Sequence, residues 1–310
     1  MTAATANFGA YLLQPIGDDL LIGCGNSPGN EDGCQIFRSA DGATFAHEFS
    51  PSEQGANVDG QLLSGEWWVC GQDPSPDDWT LGNIYRRNVA GVWSKIRTLP
   101  NVIHALGLWH DGATIYVAVG AHTGDNATWR GRVLRSSDGG ATWTAADVNA
   151  YRCYDVIGFD GALYAIGYDW TGSAYTQDLH VSTDNGATWS KVADATPALK
   201  PRLVAFGGQL IGVQSGMAGV FAVAAGGTVT LHSTPFTITN QWNVLADGGD
   251  GYLYALASNG VWRSADLATW QFYAAVSNPI SLTAWPGLGL MVSDSGLAAR
   301  LWLIPILDTP

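Results

Sequence analysis

Lysine is nearly absent from this chain of 310 residues: it occurs three times, at Lys95, Lys191 and Lys200. Only 13% of the residues are charged, and acids outnumber bases to give a net charge of −13. Such a field repels a phosphate backbone, so nucleic acid is not an expected partner. Glutamate is confined to Glu31, Glu48, Glu53 and Glu66. No apolar run reaches the roughly 18 residues that cross a bilayer, so no membrane insertion is expected. The start, MTAATANFGAYLLQPIGDD, has no basic n-region and no proper apolar h-region, so no secretory leader is read there. The expectation is a virion or extracellular protein that leaves without a leader, by cell lysis for example, with a cytoplasmic location as the alternative. The four cysteines fit no metal spacing, and no metal or cofactor is expected. Cys24 and Cys34 flank one loop, where a disulfide staple and two half-buried free thiols are both open.

Helical periodicity is missing as well: no window keeps an apolar 3.6-residue period. What is abundant is glycine, at 39 residues, with 14 Trp and 11 Tyr. The class is therefore all-β, and the length calls for a repeat architecture or two domains. One phrase recurs, an apolar strand, a Gly or Asp-Gly turn, then a second apolar strand. It reads PIGDDLLIG (15–23), LLSGEWWVCG (62–71), WHDGATIYVAVG (109–120), GFDGALYAIG (158–167), AFGGQLIGV (205–213), GDGYLYALA (249–257) and WPGLGLMVS (285–293). The markers Asp18, Gly65, Gly112, Gly161, Gly208, Gly251 and Gly287 step by 47, 47, 49, 47, 43 and 36 residues. Asp-Gly between apolar runs signals a hairpin, because its turn requires positive φ.

A second phrase follows most copies: FRSADGATF (37–45), LRSSDGGATW (134–143), VSTDNGATW (181–189) and WRSADLATW (262–270). Degenerate versions are RRNVAGVW (86–93) and AAGGTVTLH (224–232). Ser and Asp side chains can bond backbone amides inside a tight turn, and the closing Trp can pack between sheets. These residues resemble the Asp-box, or BNR repeat, of the sialidase-like superfamily. The resemblance covers nearly the whole chain and implies a fold more than an activity. It implies a seven-bladed β-propeller of four-stranded antiparallel blades in one domain. The blades fall near 9–49, 57–98, 102–148, 152–194, 201–235, 242–275 and 279–305, with 2–8 supplying the last blade's fourth strand. It also implies that Asp41, Asp138, Asp184 and Asp266 stabilise turns and take no part in metal binding or catalysis.

In such a blade the A–B and C–D turns share one end and the B–C loops the other. The B–C loops of blades 1–4 are long: CGNSPGNEDGC (24–34), CGQDPSPDDWTLGN (70–83), GAHTGDNATWRGR (120–132) and GYDWTGSAYTQD (167–178). Excess loop length is commonly functional. These loops hold Trp79, Trp129, Tyr168, Trp170 and Tyr175, with Asp77, Asp78, Asp125 and Asp169, and with Arg130 and Arg132. Aromatic faces beside carboxylates and guanidinium groups suit sugar rings, and also protein interfaces; the structural alternative is rings that fold back on their own loops. Strand starts add His104, Tyr151, Arg152, Tyr154, Asp155, Arg202, Gln241, Trp242 and Asn243 at an axial mouth. Of these, His104, Arg202 and Trp242 are taken as ligand contacts.

The sialidase catalytic set is missing. The family's Arg-Ile-Pro motif is absent, and no late Glu is present to pair with a Tyr. No catalytic residue is assigned. The expected function is a non-catalytic recognition module for a surface glycan or cell-surface receptor, as in receptor-binding parts of phage tails, where other virion proteins would be further partners. The alternatives are a glycoside hydrolase using two of Asp73, Asp77, Asp78, Asp125, Asp155 and Asp169, and a scaffold propeller that binds another protein.

Overall fold

The structure, a computed structural model, describes residues 9–25, 34–51, 54–74, 84–99, 102–121, 130–149, 151–170, 172–173, 175–193, 195–198, 200–295 and 300–306. The chain is all-β, with no helix among the described residues. Its strands form seven antiparallel sheets, the seven blades of a β-propeller.

Blade 1 is β1 (Gly9–Ile16), β2 (Asp19–Gly25), β3 (Gln35–Ser39) and β4 (Ala46–Phe49); blade 2 is β5 (Gln54–Leu63), β6 (Glu66–Pro74), β7 (Ile84–Arg87) and β8 (Trp93–Ile96). Blade 3 is β9 (Val102–His110), β10 (Ile115–Ala121), β11 (Arg130–Ser136) and β12 (Thr144–Asn149); blade 4 is β13 (Arg152–Phe159), β14 (Ala162–Trp170), β15 (Tyr175–Ser182) and β16 (Ser190–Lys191). Blade 5 is β17 (Val204–Phe206), β18 (Gln209–Val213), β19 (Gly219–Ala224) and β20 (Val229–Ser233); blade 6 is β21 (Leu245–Asp247), β22 (Leu253–Ala257), β23 (Gly260–Ser264) and β24 (Gln271–Ala275). Blade 7 is β25 (Pro279–Trp285), β26 (Gly289–Asp294) and β27 (Leu301–Ile304). The segment 2–8, expected to complete blade 7, lies outside the described residues.

Contacts divide the chain into two compact units. One contains blade 1 and blades 5–7 (within 1–26, 35–48 and 200–310), and the other contains blades 2–4 (within 27–34 and 49–199). In the first, Ala10, Leu13, Leu20 and Ile22 of blade 1 pack against Trp285 and Met291 of blade 7. In the second, Tyr116, Ala118 and Val133 of blade 3 pack against Cys153, Val156, Leu163 and Ala165 of blade 4. Each such aliphatic side chain withdrawn from water contributes about 1.5–3 kcal/mol. Second strands are buried on both faces, as in β22 and β26, whereas the outer β4 and β16 are largely exposed.

The A–B hairpins turn where the glycines demand it. Ser64 and Gly65, Asp160 and Gly161, and Gly207 and Gly208 are paired positive-φ residues, the pattern of a type I′ turn. In blade 1 the positive φ falls on Gly17 rather than on the neighbouring marker Asp18. First strands carry a feature with no sequence signal. β1, β5, β9, β13 and β25 each have an irregular register, leaving Tyr11, Val58, Leu106, Tyr154 and Ile280 as extra residues. Such bulges bend a strand and free backbone groups. The freed Tyr11 carbonyl accepts hydrogen bonds from Asn243 Nδ2 (2.9 Å) and Ser281 Oγ (3.3 Å), tying blade 1 to blades 6 and 7.

The Cys24–Cys34 staple does not form: all four cysteines are buried thiols outside any disulfide. In the β2–β3 ladder Cys24 stands opposite Gln35 rather than Cys34. Burial pushes the Cys24 thiol up to about 12, and the Cys34 thiol donates to the Pro51 carbonyl at 3.9 Å.

Candidate functional site

At the turn ends, the four Ser–Asp phrases fold into one hydrogen-bond pattern. In the turn after β11, the Ser136 hydroxyl donates to Asp138 Oδ1 (2.7 Å) and accepts from the Gly140 amide (2.8 Å). Asp138 also accepts from the Thr142 amide (2.9 Å) and the Thr142 hydroxyl (2.6 Å). Ser182, Asp184, Gly186 and Thr188 repeat this set. The turns after β3 and β23 are one residue shorter, so Asp41 and Asp266 bond the amide three residues on instead of four. The Thr142 hydroxyl and amide hold the Asp138 carboxyl down at about 2, and the Thr44 and Ala43 amides do the same for Asp41. Asp184 and Asp266 are lowered by their Thr188 and Thr269 partners. These carboxylates are engaged in closing their own loops.

The turn glycines have a second task. An added Cβ at Gly140 would lie 3.1 Å from the Trp68 ring of blade 2, and one at Gly186 would lie 3.5 Å from the Tyr116 ring of blade 3. The turns of blades 3 and 4 thus each rest on an aromatic ring of the blade before. In the turn after β23 that place is taken by buried Leu267, which adopts φ 63° without being glycine.

The opposite end of blades 3 and 4 is built differently. One row across blade 3 pairs His104 with Gly120, Gly120 with Gly131, and Gly131 with Asn149. The two central glycines leave a trough, and Arg152 at the start of blade 4 fills it. The ideal Cβ position of Gly120 is 3.2 Å from Arg152 Cγ and 3.6 Å from His104 Cδ2; that of Gly131 is 2.5 Å from the Arg152 carbonyl carbon. Burial first, and the Arg152 charge second, push His104 down to about 3. A neutral imidazole therefore stands beside a guanidinium at physiological pH.

Aromatic rings surround this pair. Arg152 lies 5.4 Å over the Tyr151 ring, and Tyr168 meets Tyr151 and Tyr154 edge to face, each at 5.6 Å. Trp170, at the end of β14, is 43% exposed, and its amide donates to Asp169 Oδ1 at 2.8 Å. Tyr175 opens β15 opposite it. Arg130 opens β11 and is half-buried, while Arg132 is engaged by Asp147 at 2.6 Å. Trp79, Asp77, Asp78, Asp125 and Trp129 lie outside the described residues. Of the carboxylates considered for hydrolysis, Asp155 is buried and accepts from the Val156 amide at 3.0 Å.

Two polar groups here went unnoticed in the sequence. Asn149 Oδ1 and His180 Nε2 are buried and meet no hydrogen-bond partner among the described residues. They flank Gly167, whose ideal Cβ position is 2.8 Å from Asn149 Nδ2 and 2.9 Å from His180 Nε2. A buried acceptor and a ring nitrogen left unbonded are places for water or a ligand hydroxyl. Among the described residues, no three His, Cys, Asp or Glu side chains converge as metal ligands.

In the other unit, Arg202 and Trp242 are both buried, with the guanidinium 5.5 Å over the indole and the Arg202 amide donating to the Trp242 carbonyl at 2.9 Å. This pair joins the approach to β17 with that to β21.

No family model matches the chain, and no curated protein matches it in sequence. Its fold does have solved counterparts. A catalytically inactive variant of virginiamycin B lyase from Staphylococcus aureus, bound to quinupristin, superposes with a TM-score of 0.69 at 15% identity, over 98% of each chain. Hydrazine synthase of Kuenenia stuttgartiensis gives 0.68 at 14% identity over 99% of each chain. An α-L-arabinanase of Penicillium chrysogenum bound to arabinobiose gives 0.54 at 16% identity, over 85% of this chain and 93% of that one. These neighbours differ in chemistry and share an architecture, so the likeness at such identities shows the β-propeller fold and no activity.

Proposed function

We propose that this protein is a non-catalytic recognition module that binds a surface glycan or receptor through the B–C loops of blades 1–4. The setting we favour is the receptor-binding part of a phage or virion tail. One observation carries the reading: at the loop end of blades 3 and 4, β14 ends on exposed Trp170, two residues beyond a buried Tyr168 that packs on Tyr151 and Tyr154, with Arg152 over the Tyr151 ring. The exposed Trp170 face can stack on a sugar ring and the half-buried Tyr151 and Arg152 can meet its edge, whereas Tyr154, Tyr168, His104 and His180 are buried and back the site from within. An imidazole held near 3 is a poor proton acceptor at neutral pH, which favours hydrogen bonding over base catalysis. The resemblance of the Ser–Asp turns to Asp-boxes supports a sialidase-like ancestry without its chemistry.

A glycan array probed with the whole protein and with Trp170→Ala tests this. Retention of a defined glycan by the former, weakened about tenfold or more in the latter, is the expected result. Release of reducing sugar from the bound glycan would replace recognition with hydrolysis. Capture of no glycan, together with tight binding of a protein partner, would favour the scaffold reading.

A further inference from the structure

We infer a second binding site, for a compact oxyanion, at the turn end of blades 3 and 4, centred on Arg135. A groove of about 340 Å³ opens there, lined by Arg135, Ser137, Thr144 and Asn185, with Thr114 and Tyr116 in its wall. Its lining holds one cation, several hydroxyls and an amide, and no acid, in a chain whose net charge is −13.

Arg135 sets it apart. Arg38 pairs with Asp19 and Glu48, Arg132 with Asp147, and Arg300 with Asp294. Arg135 instead donates Nε–H to the Thr144 hydroxyl (3.0 Å) and Nη1–H to the Asn185 carbonyl (2.7 Å), both neutral oxygens. Two of its five donors are thereby used, and the fork is fixed in place by neutral oxygens with no ion pair to a carboxylate among the described residues. The Thr144 hydroxyl accepts from Arg135 and keeps its own proton to donate. The turn carboxylates of this end keep their charge but turn it on their own loops: Asp138 accepts from Ser136 and Thr142, and Asp111 from the Ala113 and Thr114 amides and the Tyr116 hydroxyl. A fixed guanidinium with hydroxyl and amide donors around it suits a carboxylate, sulfate or phosphate group. The site is remote in construction from the loop end and does not depend on the recognition reading.

The test titrates the whole protein with sodium sulfate, sodium phosphate and sodium glucuronate at constant ionic strength, read by calorimetry and by amide NMR shifts. Saturable binding in the millimolar range is expected, weakened about tenfold or more in Arg135→Gln and in Ser137→Asp. Ser137→Asp keeps both Arg135 bonds and adds a negative charge to the groove, so it answers the question if Arg135→Gln does not fold. Saturation by all three salts supports an inorganic or ester anion as ligand, and saturation by glucuronate alone supports a sugar carboxylate. Absence of saturation with every salt, or undiminished binding in folded Arg135→Gln or Ser137→Asp, overturns the proposal.

Discussion

The two ends of blades 3 and 4 use the same residue types to opposite effect. At the turn end, Asp138 and Asp184 are wholly occupied by amides and hydroxyls of their own loops, and glycines carry the positive φ of the turns. At the loop end, Gly120 and Gly131 sit inside strands and make room for Arg152 to cross onto blade 3. Glycine thus serves conformation as well as space at the turn end, and space alone at the loop end. Polar side chains satisfy the backbone at one end and, in Asn149 and His180, are left with unbonded atoms at the other. Arg135 is the turn end's exception.

The contrast breaks most sharply under one substitution made at both ends. Gly131→Ala drives a methyl into the Asn149 side chain, which can rotate, and into the Arg152 backbone, which cannot move without shifting a strand. We expect a loss of about 3 kcal/mol or more in denaturant unfolding. The next effect is set by pH. The folded pKa of His104 lies near 3, below the roughly 6.5 of an unfolded histidine, so the unfolded chain takes up the proton first. Stability from this source is complete above pH 6.5 and falls as pH drops towards 3, by about 2 kcal/mol between pH 7 and pH 5. His104→Gln should flatten that part of the profile, as read by thermal unfolding across pH.

Gly112→Ala is the milder partner of Gly131→Ala. Gly112 has φ 94° and nothing within 4 Å of its Cβ position, so only backbone strain opposes the change. A cost of about 1 kcal/mol is expected in the same assay. The smallest effect belongs to the turn carboxylates. Asp138 has a folded pKa near 2, below the roughly 3.9 of an unfolded aspartate. Its contribution is therefore present above pH 4 and lost as pH falls towards 2, a window separate from that of His104. Asp138→Asn should shrink this late acid step, which Asp41, Asp184 and Asp266 share, and leave the earlier one, again by thermal unfolding.

The hairpins and Ser–Asp turns were legible because their conformations demand particular residues at fixed spacings. Positive φ favours Gly, Asn or Asp, and a carboxylate two residues after a serine can close a turn. The phrase HDGAT was only half read. It marks the A–B hairpin of blade 3, but Asp111 also accepts from the Ala113 and Thr114 amides as the C–D turn aspartates do. The bulges in the first strands left no trace, because a one-residue register shift changes pairing without changing composition. Asn149 and His180 were missed for a related reason. They meet only through Gly167, across the pairing of two blades that adjacency in sequence does not reveal. The choice between a Cys24–Cys34 staple and two thiols was not legible, because nearness in the chain does not say which residues face each other across the ladder, where Cys24 faces Gln35.

Hydroxyl-radical footprinting of the whole protein, free and saturated with its captured glycan, addresses the central claim most directly. Binding at the loop end predicts protection of Trp170 and Tyr151, with Trp143 and Trp189 beside the Ser–Asp turns oxidised as before. Protection confined to Trp143 and Trp189, with Trp170 unchanged, would contradict it.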